Sequence, residues 1–368
     1  MGELLQPRRG RGAASNPPNR FLAQRLEVDD STLDQWSDCG DEDATGDGPL
    51  GTGRVATEYF DDQSQTVVSE NDSPDIPFRF SVNAYRGCAH GCPFCYARPY
   101  HEYLGLSAGL DFESQVFVKR DVVAKLRSWL ERRQWKPEPI CVSGVTDCYQ
   151  PVERQYRLTR GILETALAYR QPLTLITRNA LIERDLDVLS ELARHRLIHV
   201  AISLTTLDAW LSSRLEPRAT VPAARLRAMA RLTEAGVPVR VMAAPVIPNL
   251  TDAELPAILS AACDAGAQAA GYTLLRLPGA VQQIFQEWLQ VHVPLRAAAV
   301  IGRIRQTREG ELTKSEFGER MTGTGPFAEM IRQQFDVYTR RLGLARKLVE
   351  LDCDSFRIPD RPRQQMLF

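Results

Sequence analysis

Three closely spaced cysteines carry the first chemical signal. They stand in the run Arg86-Gly87-Cys88-Ala89-His90-Gly91-Cys92-Pro93-Phe94-Cys95-Tyr96, with spacing C-x3-C-x2-C. Thiolates are soft ligands suited to iron–sulfur clusters, and three on one tight loop can bind three irons of a cubane. Gly87 and Gly91 let the backbone wrap closely around such a group. Three protein ligands leave the fourth iron open, which distinguishes a catalytic centre from a closed structural one. A zinc site built from the cysteines plus His90 or His101 is the competing reading. Zinc sites usually pair two C-x2-C units, and only one occurs here.

Such a loop needs a scaffold. Short aliphatic or β-branched runs at Phe80–Tyr85, Ile140–Gly144, Leu173–Thr177, His199–Leu204, Val237–Ala243 and Ala270–Leu275 read as buried strands. Helix-length amphipathic runs alternate with them, near Arg120–Arg133, Thr159–Tyr169, Ala180–Arg194, Pro222–Ala235 and Asp252–Ala265. Pro222 and Asp252 suit helix starts, and Gly236 and Gly266 suit helix ends. This β-α alternation predicts an α/β fold with parallel strands and helical crossovers. Six units are too few for a closed eight-stranded barrel and suit an open one, with function on the loops at the C-terminal strand ends. The rhythm stops near Gln286, after which Val300–Glu309 and Phe327–Leu342 read as helices. The expected organisation is a polar, flexible arm over 1–55, a barrel core over 56–285, a helical region over 286–355 and an extended tail over 356–368.

The motif Cys88-x3-Cys92-x2-Cys95, with Phe94 before the third cysteine, resembles the signature of the radical S-adenosylmethionine (SAM) superfamily. That resemblance implies a partial (β/α)6 barrel, a [4Fe–4S] cluster and SAM bound at the open iron. It implies reductive cleavage of SAM to a 5′-deoxyadenosyl radical, and a flavodoxin- or ferredoxin-like electron donor. The blocks Asn71–Phe78, Tyr96–Gly105, Gly144–Pro151 and Leu215–Ala219 are similar to a bacterial branch related to spore photoproduct lyase. By this resemblance Phe94 lies near the adenine, Ser143 and Asp147 contact SAM's amino group, and Ser203 meets its ribose or carboxylate. Arg178 matches a lysine facing SAM's carboxylate, which Arg could grip bidentately. The lyases carry a hydrogen-returning cysteine just after the serine of the second-strand loop, where this chain has Gly144. Cys141 and Cys148 flank that loop; Cys148, with Tyr96, is the candidate for a hydrogen relay, and buried packing is the alternative for both.

The chain has 368 residues, 43% of them hydrophobic and 25% charged, with a net charge of −1. These values fit an ordinary globular protein, and bulk charge alone gives no reason to invoke nucleic acid. No run approaches the roughly 20 apolar residues of a membrane span, and no apolar segment follows Arg8, Arg9 and Arg11, so a cytoplasmic location is expected. Between Glu27 and Gly53 acids abound and no Lys or Arg occurs. That stretch is a solvated linker or an arm that covers the site until substrate arrives. Arg332, Arg340, Arg341, Arg346 and Lys347 form a solvated face or a phosphate-meeting stripe. The ending Gln364-Gln365-Met366-Leu367-Phe368 resembles the peptide by which bacterial DNA-metabolising proteins dock on the replication sliding clamp. These features favour radical chemistry on DNA or a nucleotide. The alternatives are a peptide, tRNA or small-metabolite substrate, and a non-enzymatic metal-containing adaptor for nucleic acid or the clamp.

Overall fold

The computed structural model describes residues 8–22 and 55–359. The acidic stretch from Glu27 to Gly53, Cys39 and the ending Gln364–Phe368 lie outside the described residues.

The main sheet has the strand order β10-β9-β8-β7-β6-β3-β2. Its strands are β2 (Val68–Glu70), β3 (Phe80–Val82), β6 (Ile140–Val142), β7 (Leu173–Thr177), β8 (Ile198–Ser203), β9 (Val239–Val246) and β10 (Ala269–Leu274). The run from β3 to β10 is parallel throughout, and β2 pairs antiparallel on the outer side of β3. These six parallel strands are the six read from the sequence. They are apolar because helices pack against them, so their inner positions, such as Val82, Ile140, Leu175, Ile202 and Val241, are buried. Each strand adds next to its predecessor through a helical crossover, as in a β/α barrel. Among the described residues β2 and β10 do not pair with each other. The sheet's β10 edge is covered: Ala270 N–H donates to Ala345 O at 3.0 Å, and Leu274 N–H donates to Met321 O at 2.9 Å. Covered edges do not recruit foreign strands.

The strand expected over Phe80–Tyr85 stops at Val82. The chain bends at Ala84, and β4 (Tyr85–Arg86) pairs with β5 (Gln115–Val118) in a second sheet that also holds β1 (Glu58–Asp61). The cysteine loop therefore leaves from a small sheet rather than from the main one.

The boundary expected between 285 and 286 falls inside a continuous helix, Val281–His292. Phe285, Trp288 and Leu289 on that helix pack with Leu215, Ile247 and Leu275 in a second core that also takes in Cys92 and Phe94. The helices Pro294–Gln306 and Gly325–Leu342 follow. Residues 8–22 depart from the expected flexible arm as well. Arg11 and Ala13 are buried, and the segment lies as a strap along the cysteine loop and the chain that follows it.

Candidate functional site

The cysteine loop is fixed from three sides. Cys88 N–H donates to Phe112 O at 2.9 Å. Gln150 accepts from Ala89 N–H at 3.0 Å, and Thr146 Oγ1 donates to Gly87 O at 2.7 Å, so the loop after β6 clasps the cysteine loop. Beneath it Arg98, fully buried, donates from Nε to Cys92 O at 2.8 Å and pairs with the equally buried Glu113. Glu113 in turn accepts from Gly12 N–H at 3.0 Å and Ala13 N–H at 2.8 Å. Gly87 and Gly91 adopt φ of 77° and 71°, so both hold the left-handed conformation that glycine permits. A Cβ on Gly91 would come within 2.6 Å of Glu113 Oε2.

All three thiols are free; Cys88 and Cys92 are buried and Cys95 is half-buried. Burial pushes the Cys88 thiol up to about 12, with Asp147 and Cys95 adding to the rise. Such thiols become good ligands once a cation offsets that penalty. Among the described residues no three His, Cys, Asp or Glu side chains converge on a point that one metal ion could occupy. Each histidine of the zinc reading keeps one buried ring nitrogen without a hydrogen-bond partner, His90 Nδ1 and His101 Nε2. His90 Nε2 lies 3.0 Å from Asn179 Nδ2, and its Nδ1 faces Asp147. His101 sits edge-on between Phe112 and Phe117, where burial lowers its pKa to about 4.

The other expected site residues converge on this loop, with roles that differ in detail. Phe94 is buried, and the Arg178 guanidinium lies 5.6 Å from its ring centre. Arg178 follows β7 and pairs through Nη1 with Glu216, so one edge of its fork is already taken. Asp147 accepts from Tyr149 N–H at 2.9 Å, Thr177 Oγ1 at 2.7 Å and Arg178 N–H at 2.9 Å. That carboxylate is thus turned inward, binding the loop after β6 to the end of β7. Ser143 holds φ of 84°; its hydroxyl donates to Thr146 O and accepts from Cys148 N–H at 3.1 Å, closing its own turn. Ser203 ends β8, and its carbonyl accepts from Arg225 Nη1 at 3.0 Å.

The hydrogen-relay pair separates. Cys148 is 3% exposed within the main core, and its thiol points at Ile176 O, 3.7 Å away. Its backbone N–H is bound by Ser143 Oγ. Tyr96 is 48% exposed, its hydroxyl donates to Gly144 O, and Arg276 lies 5.9 Å from its ring centre. The tyrosine hydroxyl thus reaches the loop position where the lyases are expected to carry their cysteine. Cys141 is buried in β6.

Sequence reasoning assigned no role to Glu216, Arg225, Arg98, Glu113 or the strap. All four side chains are buried charges, and their pairing is non-local. The signal was weak: Glu216 directly follows the apolar helix Ala209–Leu215, where an unpaired carboxylate is costly.

A model of the Radical SAM superfamily matches residues 82–262. An uncharacterized protein of Mycobacterium tuberculosis is 40% identical over 216 residues, covering 58% of this chain and 64% of its own length. An uncharacterized protein of Methanocaldococcus jannaschii is 28% identical over 176 residues, covering 48% of this chain and 63% of its own length. The matched part therefore spans less than two thirds of these relatives. Spore photoproduct lyase complexed with dinucleoside spore photoproduct superposes with TM-score 0.58 at 13% identity, over 78% of this chain and 80% of that one. A substituted form with bound AdoMet and dinucleoside spore photoproduct gives TM-score 0.57 at 13% identity, over 79% and 82%. At that identity the likeness is one of fold.

Proposed function

From the premise that residues 82–262 of this chain belong to the Radical SAM superfamily, we propose that the protein is an enzyme that cleaves SAM reductively and acts on DNA or a nucleotide lesion. The superfamily uses a [4Fe–4S] cluster and SAM, and the same pair would serve this chain. One observation carries the reading. Three free thiols lie on a loop clasped by the segment after β6, and Arg178 and Phe94 meet the same loop.

Cys88, Cys92 and Cys95 would hold the cluster. When bound, cluster and SAM supply a 5′-deoxyadenosyl radical, formed with methionine by one-electron cleavage and able to take hydrogen from a C–H bond. The protein's work is to bind, orient and exclude water. Burial of Cys88 and Cys92 keeps solvent from the thiol side. Arg178 offers a fixed positive charge beside Phe94. Tyr96, half exposed, presents a hydroxyl at the loop after β6. The electron comes from a flavodoxin- or ferredoxin-like donor.

The nucleic-acid reading rests on a surface beside the cluster loop. Tyr96, Tyr100, Tyr103 and Phe21 are all exposed. Phe21 and Tyr103 have ring centres 4.8 Å apart, and Arg20 lies 4.7 Å from the Phe21 centre. Exposed rings with adjacent guanidinium groups stack bases and meet phosphates. The fold likeness to a lyase complexed with dinucleoside spore photoproduct supports the same direction.

The test is anaerobic. The reconstituted protein is reduced with dithionite, given SAM, and assayed for 5′-deoxyadenosine with and without ultraviolet-irradiated DNA. Product from the wild type, raised by the DNA and absent from Cys92→Ala, is expected. A loaded, reducible cluster that yields no product under either condition, with no SAM-induced change in its EPR signal, refutes the radical reading. Product that ignores the DNA refutes the substrate.

A further inference from the structure

Glu216 belongs to no expected role, yet it lies at the centre of a buried charge chain. Its Oε2 accepts from Arg225 Nη2 at 2.5 Å, and its Oε1 accepts from Thr205 Oγ1 at 3.0 Å and from Arg178 Nη1. Arg225 is anchored twice more, through Nε to Thr220 O at 2.6 Å and Nη1 to Ser203 O at 3.0 Å. Both Glu216 and Arg225 are 1% exposed. Burial alone would raise the Glu216 pKa, but Arg225 and Arg178 outweigh it and hold the group at about 2. Glu216 is therefore a permanent anion with no rotational freedom.

The consequence falls on Arg178. A guanidinium has five N–H donors in a rigid fork. Nη1 is bound by Glu216, and no other acceptor among the described residues takes a hydrogen bond from Nε or Nη2. The side chain thus has one edge tied down and another edge open, beside Phe94 and close to the Cys92 and Cys95 thiols. An arginine with four rotatable bonds would otherwise spend conformational entropy on binding. Anchored here, it is prepaid for a planar anion.

The same block also reaches outward. Arg218 N–H donates to His90 O at 3.3 Å, and its side chain donates to Gly10 O at 3.1 Å and Thr57 Oγ1 at 2.8 Å. The segment Leu215–Ala219 therefore joins the cluster loop, the strap and Arg178 in one clasp.

We propose that Glu216 is a positioning residue: with Arg225 and Thr205 it fixes Arg178 so that the open guanidinium edge receives the carboxylate of the bound amino-acid cofactor. This rests on the SAM reading above. Glu216 touches no ligand; it acts through Arg178.

The experiment measures SAM affinity by anaerobic equilibrium dialysis of the unreduced, reconstituted protein, with iron content and thermal midpoint determined for each variant. Arg178→Gln and Glu216→Gln each weaken SAM binding about tenfold or more, at wild-type iron content. The double variant is no weaker than Arg178→Gln within about twofold, because Glu216 has nothing left to position. Thr205→Val retains every charge, and so the fold, and weakens SAM by about two- to fivefold. Additive losses in the double variant overturn the proposal, as does unchanged or tighter binding in Glu216→Gln, which would make the carboxylate a competitor of the ligand. If Glu216→Gln does not fold, an unchanged affinity in Thr205→Val overturns it. A wild type that binds no SAM overturns the SAM reading along with it, whereas intact wild-type affinity with an indifferent Glu216 overturns the clasp alone.

Discussion

Replacing Glu113 with glutamine tests whether the strap is part of the cluster site. Glu113 and Arg98 are both fully buried and paired with each other. The carboxylate also accepts from Gly12 N–H and Ala13 N–H, one on each oxygen, while its backbone carbonyl accepts from Arg11 Nη1 at 2.5 Å. Glutamine has the same shape but no charge, and its amide nitrogen must face one of those N–H donors. Breaking a buried pair from one side costs about 3–5 kcal/mol, because the other charge is left uncompensated. Arg98 retains carbonyl acceptors at Cys92, Ala108 and Gly109, which favours the lower end. About 3 kcal/mol is a large share of the 5–15 kcal/mol typical of a folded chain. It predicts a thermal midpoint roughly 5–10 °C lower. The assay is a thermal scan of the apoprotein, limited proteolysis of residues 8–22, and iron retention after reconstitution. Glu113→Gln should melt earlier, expose the strap to protease and lose iron faster in air. A wild-type midpoint with an uncut strap refutes the reasoning, since the carboxylate would then hold neither Arg98 nor the strap.

Gly91→Ala places a Cβ 2.6 Å from Glu113 Oε2 in a left-handed backbone, so iron per chain after reconstitution should fall well below that of wild type while far-UV circular dichroism is unchanged. Cys148→Ala should cost roughly 1–3 kcal/mol in urea unfolding and leave 5′-deoxyadenosine formation intact, because the thiol packs in the core; abolished formation at normal iron content would return Cys148 to the reaction. His101 is held neutral by burial, with its pKa lowered to about 4. The unfolded chain takes up that proton near pH 6.5, so stability is full above that pH and declines by up to roughly 3 kcal/mol as the pH falls to about 4. Glu216, held at about 2, loses its contribution lower still, between about pH 4.5 and 2. Denaturant midpoints from pH 7 to 4 should show the first decline, and His101→Gln should reduce it without abolishing it, because burial lowers His90 to about 4 as well.

The six parallel strands were legible because burial on both faces makes each a short aliphatic run, and their order follows from the β-α rhythm. The cysteine loop was legible because its spacing is local: three thiols fall within one short run of backbone. Glu216, Arg225, Glu113 and the strap were not legible, for a common reason. Each is a buried charge or a backbone donor whose partner lies elsewhere in the chain: Glu113 meets Gly12 and Ala13 at a separation of about a hundred residues, and Glu216 meets Arg178 from a different crossover. The orientation of Cys148 was open in the sequence because its strand-to-loop position allows two, and in the fold its thiol lies in the main core. Residue type and local spacing determined which thiols lie together. Only the tertiary structure decided which charges hold them in place, because desolvation makes a buried charge viable only where the fold delivers its partner.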